Sequence, residues 1–383
     1  MRVEIKKYYL TIRGICLRAL GHIIPQASKT LPDIRQIKRV LFVRIDRIGD
    51  MVLSTPVFKS LKAANPLLEI TILASSGNSP LLVNNPNVDH MISYNPAKGL
   101  QSLLSVIGKL RNNKFDLAID PYDNYRLTSA LIVFLSGAKW RVGYSCYGRE
   151  IFFNIKVERP PDDTHFIDVV LNSIEPLGIA TKDRVPEIFI TKDEEKKGRE
   201  WLAQTGIENK PIVGIHPGAY YESQRWPTEY YADFIVRLRE NRDFEAILFG
   251  GPSDSSVINH IKSRLNGKIP ICEDKDLRRV LALISECKLF ICNNSGPLHM
   301  AAALGVPTIS FMGPSQKVRW WPAGEKHIVL RVDDLPCIGC NSGQCKIGTH
   351  NCMDQITPET VLNMVRNLLK EKRKNHESKI VFG

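Results

Sequence analysis

Short β-branched and apolar runs recur along the first half of the chain, at 40–45, 69–74, 88–92, 115–119 and 140–143. Their length, and the turn residues around them, predict strands. Helical stretches such as 100–112 lie between some of them. A second series opens at 212–216 and continues at 246–249, 289–292 and 307–311, again with helices between. This alternation predicts an α/β chain: two tandem Rossmann-like, doubly wound domains, each a parallel sheet covered by helices on both faces. In such folds ligands collect at the carboxyl ends of the strands, here expected to face one central cleft. Residues 160–186 and the charged run 192–200 carry no strand series, which places the boundary near 185–210. The expected division is a basic N-terminal segment 1–38, a first domain 39–190 and a second domain 191–383.

The N-terminal segment follows a different pattern. Ile5, Tyr8, Ile12, Ile15, Ala19 and Ile23 recur at helical spacing, while Arg2, Lys6, Arg13 and Arg18 fall on the other side. An amphipathic helix over 2–24 follows, suited either to an anionic lipid surface or to packing on its own domain.

The length of 383 residues and an apolar fraction of 43% allow two sizeable cores. The net charge of +12 looks at first like that of a polyanion binder. Nine Lys and Arg against two Asp and Glu fall in residues 1–40, and five against two in 370–383, so the body between is nearly neutral. That distribution argues against a nucleic-acid partner and assigns the basicity to the two ends. Nine scattered cysteines, no secretory leader and no apolar run of membrane-spanning length predict a cytoplasmic protein.

Several strand-to-helix turns carry candidate chemistry. The first strand leaves through Asp46, Arg47, Gly49 and Asp50, more ions than a loop needs. After 289–292, Asn294, Ser295 and Gly296 open a helix with Pro297 in its first turn and His299 beyond. Small residues there expose backbone N–H groups to an anion, with Ser295 as cap. The turn after 212–216 holds Gly218 and Ala219, with Gln224 and Arg225 before Pro227; Arg225 is suited to a bidentate grip on phosphate. In "FGGPSD", Gly251 permits close backbone approach, and Asp254 binds a ribose hydroxyl or caps the next helix.

In order, "RIDRIGDMVLSTP", "HPGAYYESQRWP", "FGGPSD", "NNSGPLHMAAALGVP" and "CIGCNSGQCKIGTHNCMDQITPETV" resemble glycosyltransferase family 9, the lipopolysaccharide heptosyltransferases, over about residues 39–370. The resemblance implies the GT-B fold and transfer of heptose from ADP-heptose with inversion and no required cofactor. The acceptor it implies is an anionic, lipid-linked core oligosaccharide at the cytoplasmic face of the inner membrane. It makes Asp50 the base. It places donor contacts at Gly218, Ala219, Gln224, Arg225, Asp254, Asn294, Ser295 and Gly296; Gly251 and His299 join them as candidates from their own places in these turns, with a core histidine as the other reading of His299. Gln224 stands where the family often has lysine, and Asn294 where it has aspartate. Asp46 and Arg47 are expected to orient loop and acceptor, with Arg126, Arg141 and Arg149 as further acceptor contacts.

A field at the following helix N-terminus, entered near Ser54 to Pro56, is expected to lower the basicity of Asp50. Asp120 and Asp123 in "DPYDNYR" are too far from the expected phosphates for a magnesium site. Cys337, Cys340, Cys345 and Cys352, with His350 among them, are spaced as tetrahedral zinc ligands or as a reduced loop. An epimerase or a non-catalytic binding protein on the same scaffold is the alternative function.

Overall fold

The computed structural model describes residues 2–21, 31–180, 183–207, 210–240, 244–265 and 269–368. Ile23 and the basic tail 370–383 lie outside the described residues, as do the side chains of Arg2, Ile5 and Lys6. The chain divides into two compact units, Met1–Phe189 and Ile190–Gly383.

The first unit carries a six-stranded parallel sheet of β1 (Arg39–Arg44), β2 (Glu69–Ala74), β3 (His90–Ser93), β4 (Leu117–Asp120), β5 (Trp140–Ser145) and β6 (Ile155–Glu158), in the order β3-β2-β1-β4-β5-β6. Val40 to Val43 are fully buried, and Phe42 meets Phe58 of the helix Thr55–Ala64 edge-on at 5.1 Å. The second unit repeats the plan with β7 (Ile212–His216), β8 (Glu245–Phe249), β9 (Ile271–Cys272), β10 (Leu289–Asn293), β11 (Thr308–Phe311) and β12 (His327–Leu330), in the order β12-β11-β10-β7-β8-β9. Fully buried Trp226 anchors its core, stacked on Phe311 at 4.4 Å and donating from Nε1 to the Ile356 carbonyl at 2.7 Å.

In both sheets the strand order reverses beside the leading strand, between β1 and β4 and between β7 and β10. Such switch points open a crevice at the carboxyl ends of the strands. The candidate turns fall at these two places.

The strands β6, β9 and β12 go beyond the sequence expectation. β9 has two residues, β6 alternates buried and exposed positions, and β12 is buried only at Leu330. β6 and β9 lack a continuous apolar run, and in β12 the run is only three residues, Ile328 to Leu330. The N-terminal helix spans Arg2–Gly21.

Candidate active site

The turn after β1 is built more tightly than its sequence suggests. A short helix, Ile48–Val52, precedes Thr55–Ala64, so Asp50 stands in a first turn of its own. Asn78, fully buried after β2, donates from Nδ2 to the carbonyls of Arg44 and Asp46, both at 3.1 Å. The Tyr122 hydroxyl, from the loop after β4, accepts the Ile45 N–H at 2.8 Å. Two neighbouring loops thereby fix the backbone that leads to Asp50. Arg44, 1% exposed, donates from its guanidinium to Asp46 Oδ2 at 3.2 Å. That guanidinium also lies over the rings of Tyr122 and Phe166 at 4.6 and 5.4 Å. Its fixed charge is thus shared between one carboxylate and two aromatic faces.

Asp50 is partly buried beside this cluster. Burial, then the Asp46 carboxylate, pushes its pKa up to about 7; Arg44 and Arg47 oppose the rise, and a hydrogen bond with Asp46 adds to it. The expected lowering by a helix field is therefore overturned. A helix of five residues has a weak dipole, and desolvation plus a like charge outweigh it. A carboxyl poised near neutrality suits proton abstraction at physiological pH.

In the second unit the turns after β7, β8 and β10 are tied together by side chains. Asn293, fully buried, donates from Nδ2 to the carbonyls of Pro217 (2.8 Å) and Gly218 (3.1 Å), and its Oδ1 accepts the Trp226 N–H at 2.8 Å. Asp254 Oδ2 accepts the Gly251 N–H at 2.9 Å and lies 3.4 Å from His216 Nε2. A Cβ at Gly218 would sit 2.2 Å from Asp254 Oδ1, so the close approach of these two turns requires glycine there. The helix Gly296–Ala303 starts beside them, its N-terminus at the switch point. Gln224 Nε2 donates to Ser315 Oγ at 3.0 Å. His216 Nδ1 and Asn294 Nδ2 are buried with no hydrogen-bond partner among the described residues. Buried polar atoms are rarely left so, and these two mark the turn as a place for a polar ligand.

Several expected contacts take other roles. Asp254 is 6% exposed and occupied by His216 and Gly251. Burial would raise its pKa, but the His216 contact holds it lower. It joins two turns, with little of its carboxylate left for a ribose. Arg225 donates from Nε and one terminal nitrogen to the Ala219 carbonyl, at 3.1 and 3.0 Å, so the fork expected on phosphate shapes the β7 turn. Ser295 makes no capping bond; its hydroxyl donates back to the Asn293 carbonyl at 3.3 Å. His299 is buried in the same helix.

In the first unit Arg126 is exposed in the loop after β4. Arg141 is not: it is 8% exposed near the amino end of β5, and donates to the carbonyls of Phe152 and Ala138. That end of the sheet is remote from the switch-point crevice, so Arg141 is a scaffold residue. Arg149 is fully buried in an ion pair with Asp120 and donates to the carbonyls of Tyr122 and Asn124. Asp120 is thereby engaged, and the pair props up the loop that carries Tyr122.

Among the described residues no three His, Cys, Asp or Glu side chains gather where a metal ion could be held. Cys337, Cys340, Cys345 and Cys352 are free thiols, and His350 turns instead to the Ser223 carbonyl at 3.0 Å and to Asp354 at 3.3 Å. Sequence reasoning passed over Arg44, Asn78, Tyr122 and Asn293. The one available signal was their position beside strand ends; what they hold is long-range and has no local pattern.

Comparison with known proteins places this geometry. The chain is 28% identical over 348 residues to the lipooligosaccharide heptosyltransferase 2 of Haemophilus ducreyi, covering 86% of this chain and 99% of that protein. Its fold matches a glycosyl transferase family 9 structure from Veillonella parvula with a TM-score of 0.80, at 23% identity over 89% of this chain and 99% of that one. It also matches the Escherichia coli ADP-heptose lps heptosyltransferase II with a TM-score of 0.73, at 23% identity over 88% and 99%. The fold is therefore GT-B, with two parallel six-stranded Rossmann-like sheets. The model of glycosyltransferase family 9 (heptosyltransferase) matches residues 103–350, and with more than half of its length inside that match this chain belongs to the family and is a glycosyltransferase.

Proposed function

We propose that this enzyme moves a heptose from an ADP-linked donor to a hydroxyl of a lipid-linked lipopolysaccharide core acceptor, inverting the anomeric carbon. One observation carries the reading: in a family 9 chain a carboxyl, Asp50, stands just beyond the carboxyl end of the leading strand, on a turn whose backbone is tied down by Asn78 and Tyr122. The Haemophilus and Escherichia relatives, matched over nearly their whole length, are heptosyltransferases, and the name of the latter specifies ADP-heptose.

The donor is assigned to the second unit. Its pyrophosphate lies against the N-terminus of Gly296–Ala303 and the turn Gly218–Ala219, where backbone N–H groups offset its charge. Asn294 Nδ2 and His216 Nδ1 supply further polar contacts. Gln224, Ser295, Gly296 and His299 complete the neighbourhood, with Gly251, Asp254 and Arg225 fixing its walls. Asp46, Arg47 and Arg126 belong to the acceptor side.

In the transfer step the acceptor oxygen forms a bond to the anomeric carbon as the bond from that carbon to the ADP β-phosphate oxygen breaks. The breaking bond's electron pair leaves with ADP, and the acceptor proton passes to Asp50. This chain's residues perform it by position and charge.

The acceptor's lipid places the enzyme at a membrane surface. No described helix is long and apolar enough to cross a membrane. The helix Arg2–Gly21 lies on the first unit: Arg13 donates to the carbonyls of Tyr125 (2.8 Å) and Tyr147 (3.0 Å), and Arg18 pairs with Glu150 at 2.6 Å. Tyr8, Tyr9, Ile12 and Ile15 are exposed on its outer side. The apolar residues are thus the ones available to lipid, while two of the arginines expected there serve as tethers.

The direct test incubates the full chain with ADP-heptose and a lipid-linked core lacking its last heptose, and follows ADP and acceptor mass. One heptose added per ADP released is expected. ADP release with no gain in acceptor mass, or gain only from another nucleotide sugar, overturns the reading.

A further inference from the structure

We propose that Asp46 and Asp50 form a proton-sharing carboxyl pair in which Asp46 is the positioning residue that sets the basicity of Asp50. This rests on the reading of Asp50 as the base. The geometry is specific. Asp46 is only 12% exposed, and its two oxygens have different surroundings. Oδ2 accepts from Arg44, whereas Oδ1 is buried with no hydrogen-bond partner among the described residues. A buried carboxylate oxygen without a donor is costly unless a proton arrives there.

Asp50 supplies one. When protonated, its carboxyl donates to Asp46, the contact that also contributes to its raised pKa. Arg44, packed against two aromatic rings, donates to Asp46 Oδ2 and leaves Oδ1 for the Asp50 proton. The proton is therefore placed on Asp50. As the acceptor hydroxyl gives up its proton, Asp50 takes it, the Asp50–Asp46 hydrogen bond forms, and water removes the proton afterwards. No other reactant is needed.

The charged and titratable groups around Asp50 are Arg44 on β1, Arg47 and Asp46 in the turn, and Tyr122 from the loop after β4, backed by the Asp120–Arg149 pair. The two arginines stabilise ionised Asp50, and Asp46 opposes them. Without Asp46 the arginines act on Asp50 alone.

Asp46→Asn keeps the shape and removes the charge. The acid limb of kcat/KM should move down from its native position by roughly one to two pH units. Plateau turnover should fall roughly three- to tenfold, as a weaker base requires. A residue that merely supports the loop would lower activity at all pH and leave the limb in place. Carbon-13 NMR of aspartate-labelled full-length enzyme gives a second readout that needs neither turnover nor the variant. In the native protein the Asp50 carboxyl, assigned from Asp50→Asn, should titrate near neutrality. An Asp50 midpoint below pH 5, or a limb unmoved in folded Asp46→Asn, overturns the pair. Full turnover in Asp50→Asn beside a native Asp50 midpoint near neutrality would instead remove Asp50 as base and leave the pair standing.

Discussion

Asp50 shows how one residue is at once the most readable and the most easily misjudged. Its place after the leading strand is plain in "RIGD", yet the sign of its pKa shift depends on burial and on a carboxylate four residues away. The fold exacts a cost for this. Folded, Asp50 holds its proton up to about pH 7; unfolded, only to about pH 4. The native state therefore binds more protons between these values, and its stability falls as pH rises through that window and levels off above it. Asp50→Asn cannot ionise. Relative to the native enzyme, the variant should become more stable from pH 4 to pH 7, reaching about 1 to 3 kcal/mol at pH 8. Thermal melts at pH 4.5, 6 and 8 check this, and a stability difference that shrinks with pH would contradict the raised pKa. Arg141, Arg149 and Asp254 were misread for a related reason: sequence shows that a charge is present, but not which carbonyl or carboxylate a distant loop brings to it.

Among the elements, those with long apolar runs were legible and the short ones were not. β1, β2, β7 and β10 stand out because burial on both faces demands consecutive apolar residues. The helix Ile48–Val52 was missed because five residues carry no periodicity. The N-terminal helix was legible as a helix, but its orientation was not. Gly14 lies against Gly148, where an added Cβ would meet the Gly14 Cα at 2.8 Å, so this glycine seam and the Arg13 and Arg18 tethers decide which side faces out. If the outer side meets anionic lipid, Ile12→Asp with Ile15→Asp should cut sedimentation with anionic vesicles about tenfold or more, since each buried side chain contributes roughly 1.5 to 3 kcal/mol. Arg18→Ala should change it less than twofold. The reverse order of effects would show that charge, not the apolar side, makes the contact.

For the whole molecule, one strand order is used twice, and each unit has its crevice at the same switch point. This much follows from alternating strands and helices, and the ordered motifs gave the family. The cluster around Asp50 had to be seen in three dimensions, because Arg44, Asp46, Asn78 and Tyr122 come from three segments that only the sheet order makes neighbours. On the proposed reading labour is divided: the first unit handles the proton and the second the pyrophosphate. A change at Asp50 should then affect chemistry without affecting the donor. The decisive measurement is turnover and ADP affinity of Asp50→Asn at pH 8, where native Asp50 is ionised. Turnover should fall by roughly 10²-fold or more, with the ADP Kd unchanged within about twofold. A folded variant that retains at least half of native turnover would show that Asp50 is not the base.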